Sequence, residues 1–187
     1  MQKNIYVHLF VSRRKDNTDL SEFVPRKKSF VAYEWQDVSD SFDDFVSEGQ
    51  PGEYCRHYIS VNPRDEDKVR NEMVIHLLRV QPSVTKIPSL VASIASRPEC
   101  AAEHRWLLDF DSNDPQKAEE FMADLREYFS EDEAKLIEMN PTPNGYAIIV
   151  PHGFDTRELQ KKWLSIFENK RDAMLFVDAR DKQIKKS

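Results

Sequence analysis

Glycine is scarce in this chain, four residues among 187, and the two cysteines, Cys55 and Cys100, stand without a CxxC or metal-like spacing. That excludes a disulfide scaffold and a cysteine-based zinc site, and both thiols read as small buried apolar groups. No apolar run approaches the ~20 residues that a membrane helix needs. Residues 1–11 show no basic region followed by an apolar stretch and a small-residue cleavage site. The expectation is therefore a cytoplasmic protein with no membrane partner. Internal repeats and low-complexity blocks are also missing. What is present is 40% apolar and 32% charged residues, a soluble globular profile. The length suits one ordinary domain, or one and a half small ones, with a sizeable core.

The net charge of −6 is unevenly spread: residues 101–140 alone sum to −8, leaving +2 elsewhere. Basic clusters stand at Arg13, Arg14, Lys15 and at Arg26, Lys27, Lys28, with Lys182, Lys185 and Lys186 in a basic tail over 181–187. A pI of 5.4 gives no overall basic footprint for nucleic acid. The acidic segment is either a solvated helix face or a set of carboxylates held for a divalent metal.

Proline supplies most of the punctuation. Residues 4–11 alternate Ile5, Val7, Leu9, Val11 against Tyr6, His8, Phe10 and predict a strand; 29–35 and 57–61 predict two more. Phe42 and Phe45 are spaced for a short helix closed by Gln50-Pro51-Gly52. Residues 65–80 predict a helix with Val69, Met73, Ile75, Leu77 and Leu78 on a broad apolar face, and 83–96 a second one ended by Arg97-Pro98. This N-terminal α/β module spans 1–100.

The remainder, 101–180, is more regular. Residues 105–111 predict a short apolar strand ending in acid. Asp114 then caps a helix with Pro115 at its first position and Ala118, Phe121, Met122, Leu125, Phe129 along one stripe. A strand over 134–138, a turn over 140–144 and a strand over 145–150 follow. Asp155 and Glu158 read as a capping box before a helix with Leu159, Trp163, Ile166 and Phe167, and 173–178 is the last strand. The order β-α-β-β-α-β over about 104–178 predicts an α+β fold with a ferredoxin-like or RRM-like core packed on the N-terminal module. In the corresponding strand order, 4-1-3-2, the strand 105–111 is central. A flavodoxin-like sheet is disfavoured because two strands follow one another without a helix between them.

Asp109 and Asp111 are two apart on that strand, so both leave one face and Phe110 the other. Paired carboxylates repel unless a cation sits between them, and hard oxygen donors suit Mg²⁺ or Mn²⁺. Such an ion activates an attacking oxygen and neutralises a leaving phosphate. The residues alone equally allow a plain strand end running into an N-capped helix.

Apolar-apolar-Asp-apolar-Asp at 107–111, followed after one helix and one strand by Thr142-Pro143-Asn144-Gly145-Tyr146-Ala147-Ile148-Ile149-Val150, resembles the archaeo-eukaryotic primase superfamily, particularly its small phage and mobile-element forms. The resemblance covers about 104–178 and implies metal-dependent nucleotidyl transfer, with nucleotides and single-stranded or primed nucleic acid as partners. It implies metal binding by Asp109 and Asp111, nucleotide contacts from Asn144, Gly145 and Tyr146, and a third acid near the last strand. Placed on the 4-1-3-2 order, Asp172 falls near the carboxylate end of the central strand, with Asp178 as the alternative. The sequence departs from the family at Ala147, where a phosphate-contacting histidine belongs. His152, five residues on, is too far along an extended chain for simple replacement. A derivative without catalysis, serving as a phage accessory or counter-defence factor that binds nucleic acid or a protein partner, is the other reading. In 56–64, basic and aromatic residues interleave, and Arg56, Tyr58 and Arg64 form a candidate nucleic-acid strand, although such a pattern is more often a half-buried edge strand with polar ends.

Overall fold

The alternation at the start of the chain forms strand β1 (Asn4–Ser12), which pairs antiparallel with β2 (Arg26–Tyr33) on one side and β3 (Tyr54–Ser60) on the other. The computed structural model describes residues 4–164 and 166–183, and the chain divides into two units, Met1–Ala102 with Phe176–Ser187, and Glu103–Leu175. Among the described residues no helix is long and apolar enough to cross a membrane. The described residues form an α+β fold with two sheets.

In the first unit the sheet order is β2-β1-β3-β9, where β9 is Met174–Asp181, and the short β4 (Arg64–Asp65) also pairs with β1. Helix α1 (Ser39–Ser47) places Phe42, Phe45 and Val46 against Phe10 and Cys55. Full burial of a phenylalanine such as Phe10 or Phe42 contributes roughly 1.5–3 kcal/mol. Asp65 caps helix α2 (Glu66–Val80) by accepting from the Asp67 and Lys68 amides at 2.9 and 3.2 Å. The helix stops at Gln81, which takes the left-handed conformation. Helix α3 (Ile87–Ala95) starts with Pro88 in its first turn and buries Ala92, Ile94 and Ala95. The expected apolar face of α2 is only partly buried: Val69 is inside, while Ile75 and Leu78 face solvent.

The second unit holds a four-stranded antiparallel sheet, β6-β7-β5-β8, made of β5 (Trp106–Phe110), β6 (Glu138–Thr142), β7 (Gly145–Val150) and β8 (Phe167–Lys170). The strand 105–111 is central, as its apolar run requires. Leu108 and Phe110 of β5, with Ile148 and Val150 of β7, point to one face and pack against α4 (Pro115–Arg126) and α6 (Arg157–Lys162) through Phe121, Met122, Leu125, Leu159 and the following Trp163. Asp114 caps α4, and the Trp163 indole donates to Asp124 at 2.7 Å.

Four details correct the sequence reading. Residues 131–134 form the helix α5 (Glu131–Ala134), nucleated by a Ser130–Glu133 capping box, so the strand begins at Glu138. The turn shrinks to residues 143 and 144, closing a hairpin in which Thr142 pairs with Gly145. Helix α6 ends at Lys162, and Asp155 caps from outside, accepting from the Arg157 amide at 3.1 Å, instead of forming a box with Glu158. The fourth strand is therefore Phe167–Lys170, and the apolar run 174–177 opens β9, which joins the first unit's sheet. Lys182 of the expected tail is tied down, its ammonium donating to the Ser47 and Gly49 carbonyls at 2.5 and 2.6 Å; residues 184–187 lie outside the described residues.

Candidate functional site

Because β5 alternates, Asp109 leaves the sheet on the side opposite the two helices. Its ladder partners are Ala147 on β7 and Glu168 on β8, and Ala147 in turn faces Asn140 on β6. One row across the sheet thus reads Asn140, Ala147, Asp109, Glu168. Lys170, two residues beyond Glu168, shares that face, and its Nζ sits 2.5 Å from the Asp109 carboxylate and 3.4 Å from that of Glu168. Burial works against the lysine's charge, but the hydrogen bond to Asp109 and the two carboxylates outweigh it and hold its pKa above the ordinary value. The Asn140 Nδ2 is buried and has no hydrogen-bond acceptor among the described residues.

Asp111 lies just past β5, exposed, with its backbone amide donating to the Ile166 carbonyl at 2.7 Å. The β6–β7 turn ends beside it. A Cβ on Gly145 would lie 2.0 Å from the Phe110 carbonyl oxygen and 2.8 Å from the Ser112 nitrogen, so glycine is what lets the hairpin approach the end of β5. Asn144 is exposed in the turn, and Tyr146 packs against the core on the helix side. The structure therefore brings Asp109, Asp111, Asn144 and Gly145 to one end of the sheet and gives Tyr146 a packing role.

The expected third acid is not where the sequence put it. Since Lys170 pairs with Leu107, Asp172 falls in the bend beyond β8, toward the Trp106 end of the central strand and away from Asp109. Asp178 belongs to β9 in the first unit, where it accepts from the Ala179 amide and the Arg180 guanidinium, both at 2.8 Å. The acid opposite Asp109 is Glu168, which the sequence reading missed with Lys170 and Asn140. For Glu168 and Lys170 the only local signal is the alternation in Phe167-Glu168-Asn169-Lys170. His152 stands at the Trp106 end of β7, bonded to Glu133 at 2.9 Å, and does not replace the absent histidine.

In the first unit Arg56 and Tyr58 do share a face of β3, but Arg56 is held by Asp16 at 2.6 Å and the Tyr58 ring meets Phe176 edge-on. Arg64 is 2% exposed and cannot reach a ligand. The candidate nucleic-acid strand loses that residue. The same sheet buries a histidine pair: His8 Nδ1 lies 2.9 Å from His57 Nε2, walled by Phe10, Phe30 and Phe42. Burial pushes both imidazoles down to about 4, and for His57 the neighbouring His8 and Arg180 add to the effect while Asp178 opposes it.

Among the described residues no group of three or more His, Cys, Asp or Glu side chains is close enough to hold a metal ion. Comparison with family models, with curated proteins and with solved structures finds no match.

Proposed function

We propose that the second unit is a primase-like nucleotidyl-transfer scaffold, acting on nucleotides and single-stranded or primed nucleic acid in the cytoplasm. The observation that supports this reading is the row Ala147, Asp109, Glu168: the strand with the paired acids lies between the strand with the Gly-Tyr motif and a strand with a third carboxylate on the same face. Asp109 and Glu168, opposite each other on β5 and β8, suit Mg²⁺ or Mn²⁺ in donor chemistry as a pair, since Mg²⁺ is commonly held by one or two carboxylates, with substrate phosphates and water completing its shell. A divalent cation bound there would supply charge neutralisation at the transferring phosphate. Lys170 occupies the cationic role beside Asp109 in its stead, and it must swing aside for a metal to enter.

The chain's own residues set the limits of the activity. Ala147 offers no hydrogen bond to a phosphate, which favours weakened transfer or, as the second reading, a non-catalytic derivative that keeps the scaffold. Primer extension with Mg²⁺ and with Mn²⁺ separates the two. Extension by the parent that disappears in Asp109→Asn supports the enzyme. No extension under either ion, with the fold intact, supports the derivative.

A further inference from the structure

The last two turns of α2, residues 73–80, carry aliphatic side chains on two sides. Val69 is buried, and Met73, His76 and Leu77 are half-buried on the inner side, yet the outer side carries Val74, Ile75 and Leu78 at helical spacing, continued by Val80 and by Val84 in the turn before α3. These five side chains are 40% to 77% exposed. A helix that is hydrophobic on both sides is built to be covered on both, and contiguous exposed aliphatic groups mark an interaction surface. Within the segment that carries the patch the charged side chains have one sign. Residues 73–98 contain no Asp or Glu in a chain that has 33 of them. Arg97 is paired with Glu72, whereas Arg79 and Lys86, flanking the patch, have no ion-pair partner among the described residues.

We infer that this surface docks an acidic amphipathic helix of a partner protein. An aliphatic ridge is complemented by the apolar stripe of another helix, and unpaired Arg79 and Lys86 are complemented by carboxylates beside that stripe. A symmetric contact between two copies would bring 73–98 against itself, and that segment supplies no carboxylate for Arg79 and Lys86. Nucleic acid gains no stacking here, because residues 73–98 contain no Phe, Tyr or Trp. The site is independent of the carboxylate row in the second unit.

The test uses the full chain and a capped 18-residue helical peptide with leucine at heptad a and d positions and glutamate elsewhere, against the same peptide with lysine for glutamate. Fluorescence anisotropy should show the glutamate peptide binding at least tenfold tighter than the lysine peptide. Leu78→Glu and, separately, Arg79→Glu with Lys86→Glu should each weaken it tenfold or more; all three positions are exposed, and unchanged melting of the variants confirms the fold. No binding of the glutamate peptide, equal binding of both peptides, or binding unaffected by Leu78→Glu overturns the proposal. So does Leu78-dependent self-association in sedimentation, or Leu78-dependent binding to phosphatidylglycerol vesicles in preference to the peptide.

Discussion

Asp109 and Ala147 face each other across the antiparallel ladder of β5 and β7, so the methyl group of Ala147 stands where a longer side chain would reach over the carboxylate. Replacing it with histidine would add a donor beside any phosphate held there, and a hydrogen bond to a charged group contributes roughly 1.5–3 kcal/mol. Ala147 is 3% exposed, so the larger ring must also displace neighbours, at about 1–3 kcal/mol. The expected outcome for Ala147→His is a lower melting temperature together with at least tenfold tighter nucleoside triphosphate binding by calorimetry. Lower stability with unchanged binding would remove the nucleotide from this face.

Lys170 separates two carboxylates on adjacent strands. With a third or so of each partner's side chain exposed, the Lys170–Asp109 pair should couple by no more than about 1 kcal/mol in a double-mutant cycle. Lys170→Met should lose stability at pH 7 because Asp109 and Glu168 are left as like charges, and Asp109→Asn in the same background should recover it. Urea melts of the four proteins check this; a double variant as unstable as Lys170→Met would mean the lysine acts through packing alone.

The His8–His57 pair makes the first unit sensitive to acid. Both imidazoles sit at about 4 in the folded state, below the ordinary 6.5, so the neutral pair contributes fully above 6.5 and its contribution falls as the pH drops toward 4. A depression from 6.5 to about 4 corresponds to roughly 3 kcal/mol for one imidazole. Unfolding by urea should show a steep loss of stability between pH 6.5 and 4 that is clearly flatter in the His8→Phe, His57→Phe double variant. Parallel profiles would show that other groups carry the dependence.

Gly145→Ala should be among the most damaging single-atom additions in the chain. Its Cβ would meet the Phe110 backbone at 2.0 Å, and backbone in a central strand cannot shift as a flexible side chain can. A loss of about 3 kcal/mol, the upper end of what overpacking costs, read as a fall in melting temperature of more than about 10 °C for a unit this size, is the expected scale. A melting temperature within a few degrees of the parent would show that the hairpin is free to move away from β5.

The central strand, the capped helix α4 and strand β7 were legible because Leu107 and Leu108, the Asp114–Pro115 cap and the Ala147–Val150 run are strong local signals, whereas the polar Glu138–Thr142 of β6 read as a strand end and a turn. Strand β8 was not. Phe167-Glu168-Asn169-Lys170 has one apolar residue, and the stripe Leu159, Trp163, Ile166, Phe167 continues the helix period past the point where α6 stops. The apolar 174–177 then looked like the fourth strand, although tertiary pairing sends it to the other sheet. Misplacing one strand moved the third acid from Glu168 to Asp172. The Lys170–Asp109 pair, 61 residues apart, leaves no local trace at all. Arg64 illustrates the opposite error, since a basic residue beside an aromatic strand reads as surface until burial is known.

Free Mn²⁺ measured by electron paramagnetic resonance during titration with protein tests the cation role of the carboxylate row most directly. The account predicts weak binding by the parent, at least tenfold tighter binding by Lys170→Met, where the competing ammonium is gone, and loss of that site in Lys170→Met with Asp109→Asn. Equal Mn²⁺ binding by the parent, by Lys170→Met and by the double variant would contradict it.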